Sequence, residues 1–168
     1  MNKKKIFSIT VEHIVVTTDK PYEQVTALLE EKMSSTPGDM NELIGQLAAA
    51  KTSWAQATDL IEQRLGKSGF HIFSKIEHGL LLSLAGKPGK SVQYTVGNPL
   101  LAVQMTQHIA AVALYAPFKL AVYEEDDSKT IIIYDSLSSF VAQFQNEEVT
   151  RMAEQVDSLL EELIAGVI

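Results

Sequence analysis

The chain predicts an α+β fold: one domain, about five strands in a mixed or antiparallel sheet, and helices mainly on one face. Three observations carry this. Apolar residues alternate at the two-residue period of a half-buried strand in several separate stretches, and recur at three- and four-residue steps in the stretches between them. The strand-like runs beginning at Phe118 and Ile131 flank a short charged turn, which pairs them as an antiparallel hairpin. The 168 residues contain no internal repeat, low-complexity tract or linker, so one core is the economical solution. A domain of that size buries roughly 68–70% of its unfolded surface.

Residues 5–18 predict a long first strand, with Phe7, Ile9, Val11 and Val15 on one side and Ser8, Thr10 and Glu12 on the other. His13 interrupts the apolar side, at a bulge or where the strand leaves the core, and has no partner within its own segment. Pro21 then opens a helix over residues 21–33, filled by Tyr22, Val25, Leu28, Leu29 and Met33. Residues 34–38 break it. Asp39 and Glu42 cap a second helix striped by Met40, Leu43, Ile44 and Leu47. Ser53 and Gln56 form another capping box, behind which Trp54, Ala57, Leu60, Ile61 and Leu65 share a face and Gly66 is placed to end the helix. Residues 69–76 read as a strand, Phe70, Ile72, Ser74 and Ile76 alternating with His71, Phe73 and Lys75. Leu80, Leu81, Leu82 and Leu84 predict a short buried helix with Glu77 at its start and Gly86 as its stop.

Residues 91–109 organise the chain as a strand, a corner and a helix. Val92, Tyr94 and Val96 alternate with Gln93 and Thr95; Gly97 punctuates; Asn98 suits an N-cap and Pro99 the first helical position. Such a corner presents amides that favour anions, although capping alone accounts for all three residues. Residues 110–116, with Tyr115, connect to the hairpin of Phe118, Leu120 and Val122 with Ile131 and Ile133. A helical turn or two over residues 136–144 precedes a final helix capped by Asn146, with Val149, Met152, Val156, Leu159, Leu160, Leu163 and Val167 at helical steps. That helix covers the sheet or packs on a copy of itself, and covering the sheet is the simpler arrangement.

Composition narrows function. The net charge of −7 argues against nucleic-acid partners, whose recognition rests on Lys and Arg, and equally against anionic membranes. The chain has no cysteine, which excludes disulfides, thiolate metal sites and thiol catalysis. The basic start is not followed by an unbroken apolar run, because Ser8, Thr10, Glu12 and His13 intervene, so no targeting signal is read and a cytoplasmic location is expected. No stretch reaches the ~20 apolar residues of a membrane span. His71 and His78 lack a third ligand, and the run Glu124, Glu125, Asp126, Asp127 is most simply a solvated turn, so no metal or other cofactor is expected. Trp54 and the tyrosines read as core and rim rather than a base-stacking platform.

Ile76-Glu77-His78, Gly97-Asn98-Pro99, Ala116-Pro117, Tyr123-Glu124-Glu125 and Tyr134-Asp135 occur in an order and spacing that resembles the bacterial domain of unknown function 302 family, DUF302. The strand, Lys20-Pro21-Tyr22 step and helix of residues 11–29 are similar to its longer members; residues 34–51 are an added helical segment, and Glu77 stands where Asp is common. The resemblance implies a compact α+β fold, often a homodimer, with no established activity.

The leading expectation is a non-catalytic module binding a small molecule or a protein partner. Glu77, His78, Gly97 and Asn98 lie at two strand-to-helix corners that in one sheet could share an edge, with Tyr115 and Tyr134 as walls. The rival is an enzyme using His78 as acid or base, oriented by Glu77 or Asn98; no serine elbow, cysteine or metal signature supports it. The third class is a structural or interaction protein whose surface is its own dimer contact, with the acidic last helix and residues 34–51 as candidate surfaces.

Overall fold

A computed structural model describes residues 3–33 and 39–168; the predicted break over residues 34–38 lies outside them. Five strands, β1 (His13–Thr18), β2 (His71–Ile76), β3 (Ser91–Gly97), β4 (Phe118–Glu124) and β5 (Thr130–Asp135), form one sheet in the order β1-β5-β4-β3-β2. Every pairing is antiparallel, which resolves the mixed alternative. The helices are α1 (Tyr22–Lys32), α2 (Asp39–Ala49), α3 (Trp54–Glu62), α4 (His78–Leu84), α5 (Pro99–Thr106), α6 (Leu137–Val141) and α7 (Glu147–Ala165). The architecture is α+β, as the periodicities require.

One face of the sheet carries the core. Val92, Tyr94, Val96, Leu120, Val122 and Ile132 pack against Val25 and Leu29 of α1, Leu101 and Met105 of α5, and Val156 and Leu160 of α7. The last helix therefore covers the sheet. Its Asp157 also accepts hydrogen bonds from the Leu137 and Ser138 amides, at 2.7 and 3.0 Å, and from the Ser136 hydroxyl at 2.8 Å, so α7 caps α6 from the side.

The structure corrects the sequence at four elements. The first strand is only His13–Thr18; residues 3–10 are exposed and outside the sheet, and in β1 it is Ile14 and Val16 that pack on the core while Val15 points away. A register shift between Ile72 and Ser74 reverses the alternation in β2, so Lys75 pairs with the core residue Tyr94 and Ile76 with Gln93. Helix α3 stops at Glu62, short of Gly66; that glycine instead lies where an added Cβ would come 2.3 Å from the Lys32 carbonyl oxygen at the end of α1. On α3 only Ala57 and Ile61 are buried, leaving Trp54 59% exposed.

The fourth correction is α4, which has no buried residue, its leucines facing outward with Leu84 87% exposed. It approaches the start of β3 through Gly79, where a Cβ would stand 2.5 Å from the Gly89 carbonyl oxygen and 3.1 Å from the Ser91 amide. Close backbone approach, rather than leucine burial, holds this helix. Glu77 makes no side-chain cap there.

Candidate functional site: an apolar cavity at the β3–α5 corner

The corner at Gly97-Asn98-Pro99 is built as its sequence dictates. Asn98 Oδ1 accepts from the amides of Leu100 and Leu101 at 2.8 and 3.3 Å, and its Nδ2 donates to the Gly69 carbonyl at 2.9 Å. One side chain thus caps α5 and ties it to the chain entering β2. At Gly97 a Cβ would meet Pro117 at 3.2 Å and Phe73 at 3.5 Å, so the strand end is pressed between those rings. The Ala116–Pro117 peptide is cis.

Around this corner opens a cavity of about 340 Å³. Gly97, Asn98, Ala102, Val103 and Thr106 form its floor along β3 and α5; Phe73, Pro117 and Phe118 form one wall; Ile44, Trp54 and Ile61 of α2 and α3 form the other. None of the lining residues is charged. Its two polar side chains outside the tryptophan are already engaged, Asn98 as above and Thr106 donating to the Ala102 carbonyl at 3.0 Å. A charged ligand would lose hydration here with nothing to replace it, whereas an apolar one would gain by leaving water.

The sequence-predicted residues do not converge. Because β2 and β3 run antiparallel, with His71 opposite Gly97 and Ile76 opposite Gln93, Glu77 and His78 lie at the other end of the sheet from Asn98. The shared edge expected for the two corners is absent. Gly97 and Asn98 line the cavity. Tyr115 lies beside it, stacked on Phe140 with centroids 4.8 Å apart and accepting from Gln143 Nε2 at 2.9 Å, and lines a smaller hollow of about 150 Å³ that shares Pro117 and Phe118 with the main one. Tyr134 is buried in the core, where burial first, and then the charges of Glu161 and Asp157, push its hydroxyl up.

Glu77 belongs instead to a charged network under α1. Lys75 bridges Glu30 at 2.8 Å and Glu77 at 2.7 Å, and the Tyr94 hydroxyl donates to Glu30 at 2.6 Å. Burial pulls Lys75 down, but its hydrogen bonds to the two carboxylates outweigh it and the ammonium is held above its ordinary range. Tyr22 is pushed up to about 12, by burial first and the Glu77 charge second, and Tyr94 still further by burial and Glu30. Every acid in this network has a cation or hydroxyl partner, which describes a structural clasp. His71 and His78 stand at opposite ends of β2, and among the described residues no group of three or more His, Asp or Glu gathers as a metal site would need.

Sequence reasoning missed Ile44, Phe73, Val103 and Thr106, whose only signal is apolar or neutral character on elements not known in advance to meet. Trp54 had a signal, a large aromatic at the first turn of a helix, and was assigned to the core.

The profile of the family described as domain of unknown function DUF302 matches residues 46–167. A solved structure, the crystal structure of an uncharacterized conserved DUF302 protein from Bacillus stearothermophilus, superposes with a TM-score of 0.64 at 17% identity, covering 93% of this chain and 98% of that one. No curated protein matches. The likeness extends the fold over β1 and α1, which precede the residues matched by the family profile.

Proposed function

The chain belongs to the DUF302 family, described as a domain of unknown function, and from that premise we propose that it is a non-catalytic module holding a small, uncharged, apolar molecule in the cavity at the β3–α5 corner. One observation carries this: the cavity reaches the size range of small-molecule sites, roughly 300–1,000 Å³, and is walled by apolar groups with its polar side chains committed elsewhere. Recognition would then rest on shape and apolar burial, with Gly97 and Asn98 as floor rather than as hydrogen-bonding ligands. Catalysis through His78 draws no support from the geometry, since Asn98 cannot orient it from the other end of the sheet.

The sole tryptophan, Trp54, lines the cavity and reports on it. Titration with the neutral probe phenylnaphthylamine should change Trp54 emission saturably, and Ala102→Phe, which fills the floor, should abolish the change while leaving the circular dichroism intact. Equal probe affinity in wild type and Ala102→Phe would refute the site.

A further inference from the structure

The cavity at the β3–α5 corner does not end at Trp54. That residue, with Asn98 and Val103, also lines an outer hollow of about 620 Å³ between α3 and α5. The two spaces meet at a side chain that is 59% exposed, so a molecule in the cavity can extend past the indole. Local sequence sets what faces the hollow. Trp54, Thr58 and Glu62 stand at four-residue steps and share one side of α3, while Leu100, Gln104 and Gln107 follow at steps of four and three along α5 and just past its end.

The two spaces differ in their polar groups. In the cavity the side chains of Asn98 and Thr106 are committed to backbone partners. In the hollow the side chains of Thr58, Glu62 and Gln104 make no hydrogen bond or ion pair among the described residues, and Glu62 and Gln104 are exposed. An apolar chamber thus opens onto a mixed set of unengaged donors and acceptors. We propose that the ligand is a single-chain amphiphile, with an alkyl tail in the cavity and an uncharged polyhydroxyl head, of the sugar kind, in the hollow. This inference rests on the cavity reading above and adds the outer half of its ligand.

Chemistry selects the head. Glu62 is the one charged residue among the described residues lining the hollow, and the chain as a whole carries −7, so a carboxylate or phosphate head meets repulsion. An ammonium head supplies donors only and leaves the Gln104 N–H groups unanswered. A hydroxyl both donates and accepts, and so pairs with carboxylate, amide and hydroxyl alike. The exposed face of Trp54, negative at its centre, suits the C–H side of a ring. The smaller hollow past Pro117 and Phe118 presents Lys119 to an anionic head, but Asp135 stands in the same hollow and offsets that charge. Size selects the tail. The cavity's 340 Å³ admits about eleven groups of the ~30 Å³ that a water-sized unit occupies, enough for one short chain and too little for a two-chain lipid.

Isothermal titration calorimetry with octyl glucoside, octanol and octanoate, each kept below its micelle-forming concentration, tests head and tail separately. Octanol should bind the wild type and lose that binding in Ala102→Phe. Octyl glucoside should bind at least tenfold tighter than octanol, and octanoate more weakly than either. Glu62→Ala combined with Gln104→Ala, at two exposed positions that do not threaten folding, should bring octyl glucoside back to the affinity of octanol and leave octanol itself unchanged. Octyl glucoside no tighter than octanol, or a preference that survives the double variant, would overturn the head site and leave the cavity reading standing. Failure of all three to bind would overturn the cavity reading and this inference together. Octanoate binding tightest, with the advantage lost in Lys119→Ala, would overturn the inference by moving the head to the hollow beside Pro117.

Discussion

Replacing Asn98 separates what the β3–α5 corner does for the fold from what it does for a ligand. Asn98→Ala removes the acceptor of the Leu100 and Leu101 amides, a lost N-cap costing about 1 kcal/mol. It also strips the Gly69 carbonyl of its donor, and since Gly69 is only half-buried the lower part of the usual range applies, about 1 kcal/mol more. The sum, about 2 kcal/mol, should lower the melting temperature by roughly 4–8 °C for a domain of this size. Asn98→Asp keeps the cap, with its charge favourably at the helix N-terminus, but turns an acceptor toward the Gly69 carbonyl, so it should lose about half as much. Urea denaturation with an unchanged slope reads both. Because the polar ends of Asn98 point into the backbone, probe affinity in the still-folded variants should shift by less than the ~1.4 kcal/mol of a tenfold change. Asn98→Asp as damaging as Asn98→Ala would refute the cap, and probe binding lost in a stable variant would make the amide a ligand contact after all.

Other perturbations follow from the same geometry. Asp157→Ala leaves the Leu137 and Ser138 amides and the Ser136 hydroxyl without their shared carboxylate and should cost about 2–4 kcal/mol by urea denaturation; a loss below ~1 kcal/mol would show that α6 does not depend on α7 for its cap. Gly45→Ala, inside α2 with open space around its Cβ, should stabilise by up to ~1 kcal/mol, while Gly66→Ala, driven against the Lys32 carbonyl, should destabilise by more than it; the opposite order of midpoints would contradict the packing of α1 on that loop. The Tyr22 hydroxyl titrates near 10 unfolded and at about 12 folded, so the fold favours its neutral form. The stability this contributes is fully present below pH 10 and is lost as pH climbs from 10 through 12. Tyr22→Phe should flatten that alkaline loss, and an identical pH profile in the variant would sink the assignment.

Three helix starts were legible because capping is local. Ser53, Asn98 and Asn146, each read as a cap, accept from the amides of the turn they begin, and no distant contact is needed to specify that. Burial was legible only where a helix stripe or strand alternation met an actual neighbour. The four leucines of α4 read as core, yet it is Gly79 that approaches the chain entering β3, at Gly89 and Ser91, where its missing side chain brings backbone to backbone while the leucines stay exposed. In β2 the one-residue bulge inverted a clean alternation, a shift that carries no local mark because Phe73 is as good a strand residue as its neighbours.

Strand direction explains why the two corners failed to make one site. β2 and β3 pair antiparallel across the α4 connection, which sends the His78 and Asn98 ends of those strands in opposite directions. The reversed alternation then puts Lys75 on the same side as Tyr94, where its ammonium lies 5.9 Å from the Tyr94 ring centroid and collects Glu30 and Glu77 into a half-exposed charged network. With the charge gathered at that end, the Asn98 end is left to apolar side chains from α2, α3, α5 and β4, converging from stretches far apart in sequence. Such a cavity has no motif because apolar burial is non-directional: many side chains of the right size serve equally well, and only the polar groups that close its corner must be specific. Asn98 is therefore the residue the sequence could reveal, and Trp54, Val103 and Phe73 are the ones whose replacement by larger or smaller apolar side chains should tune affinity without touching the fold's caps.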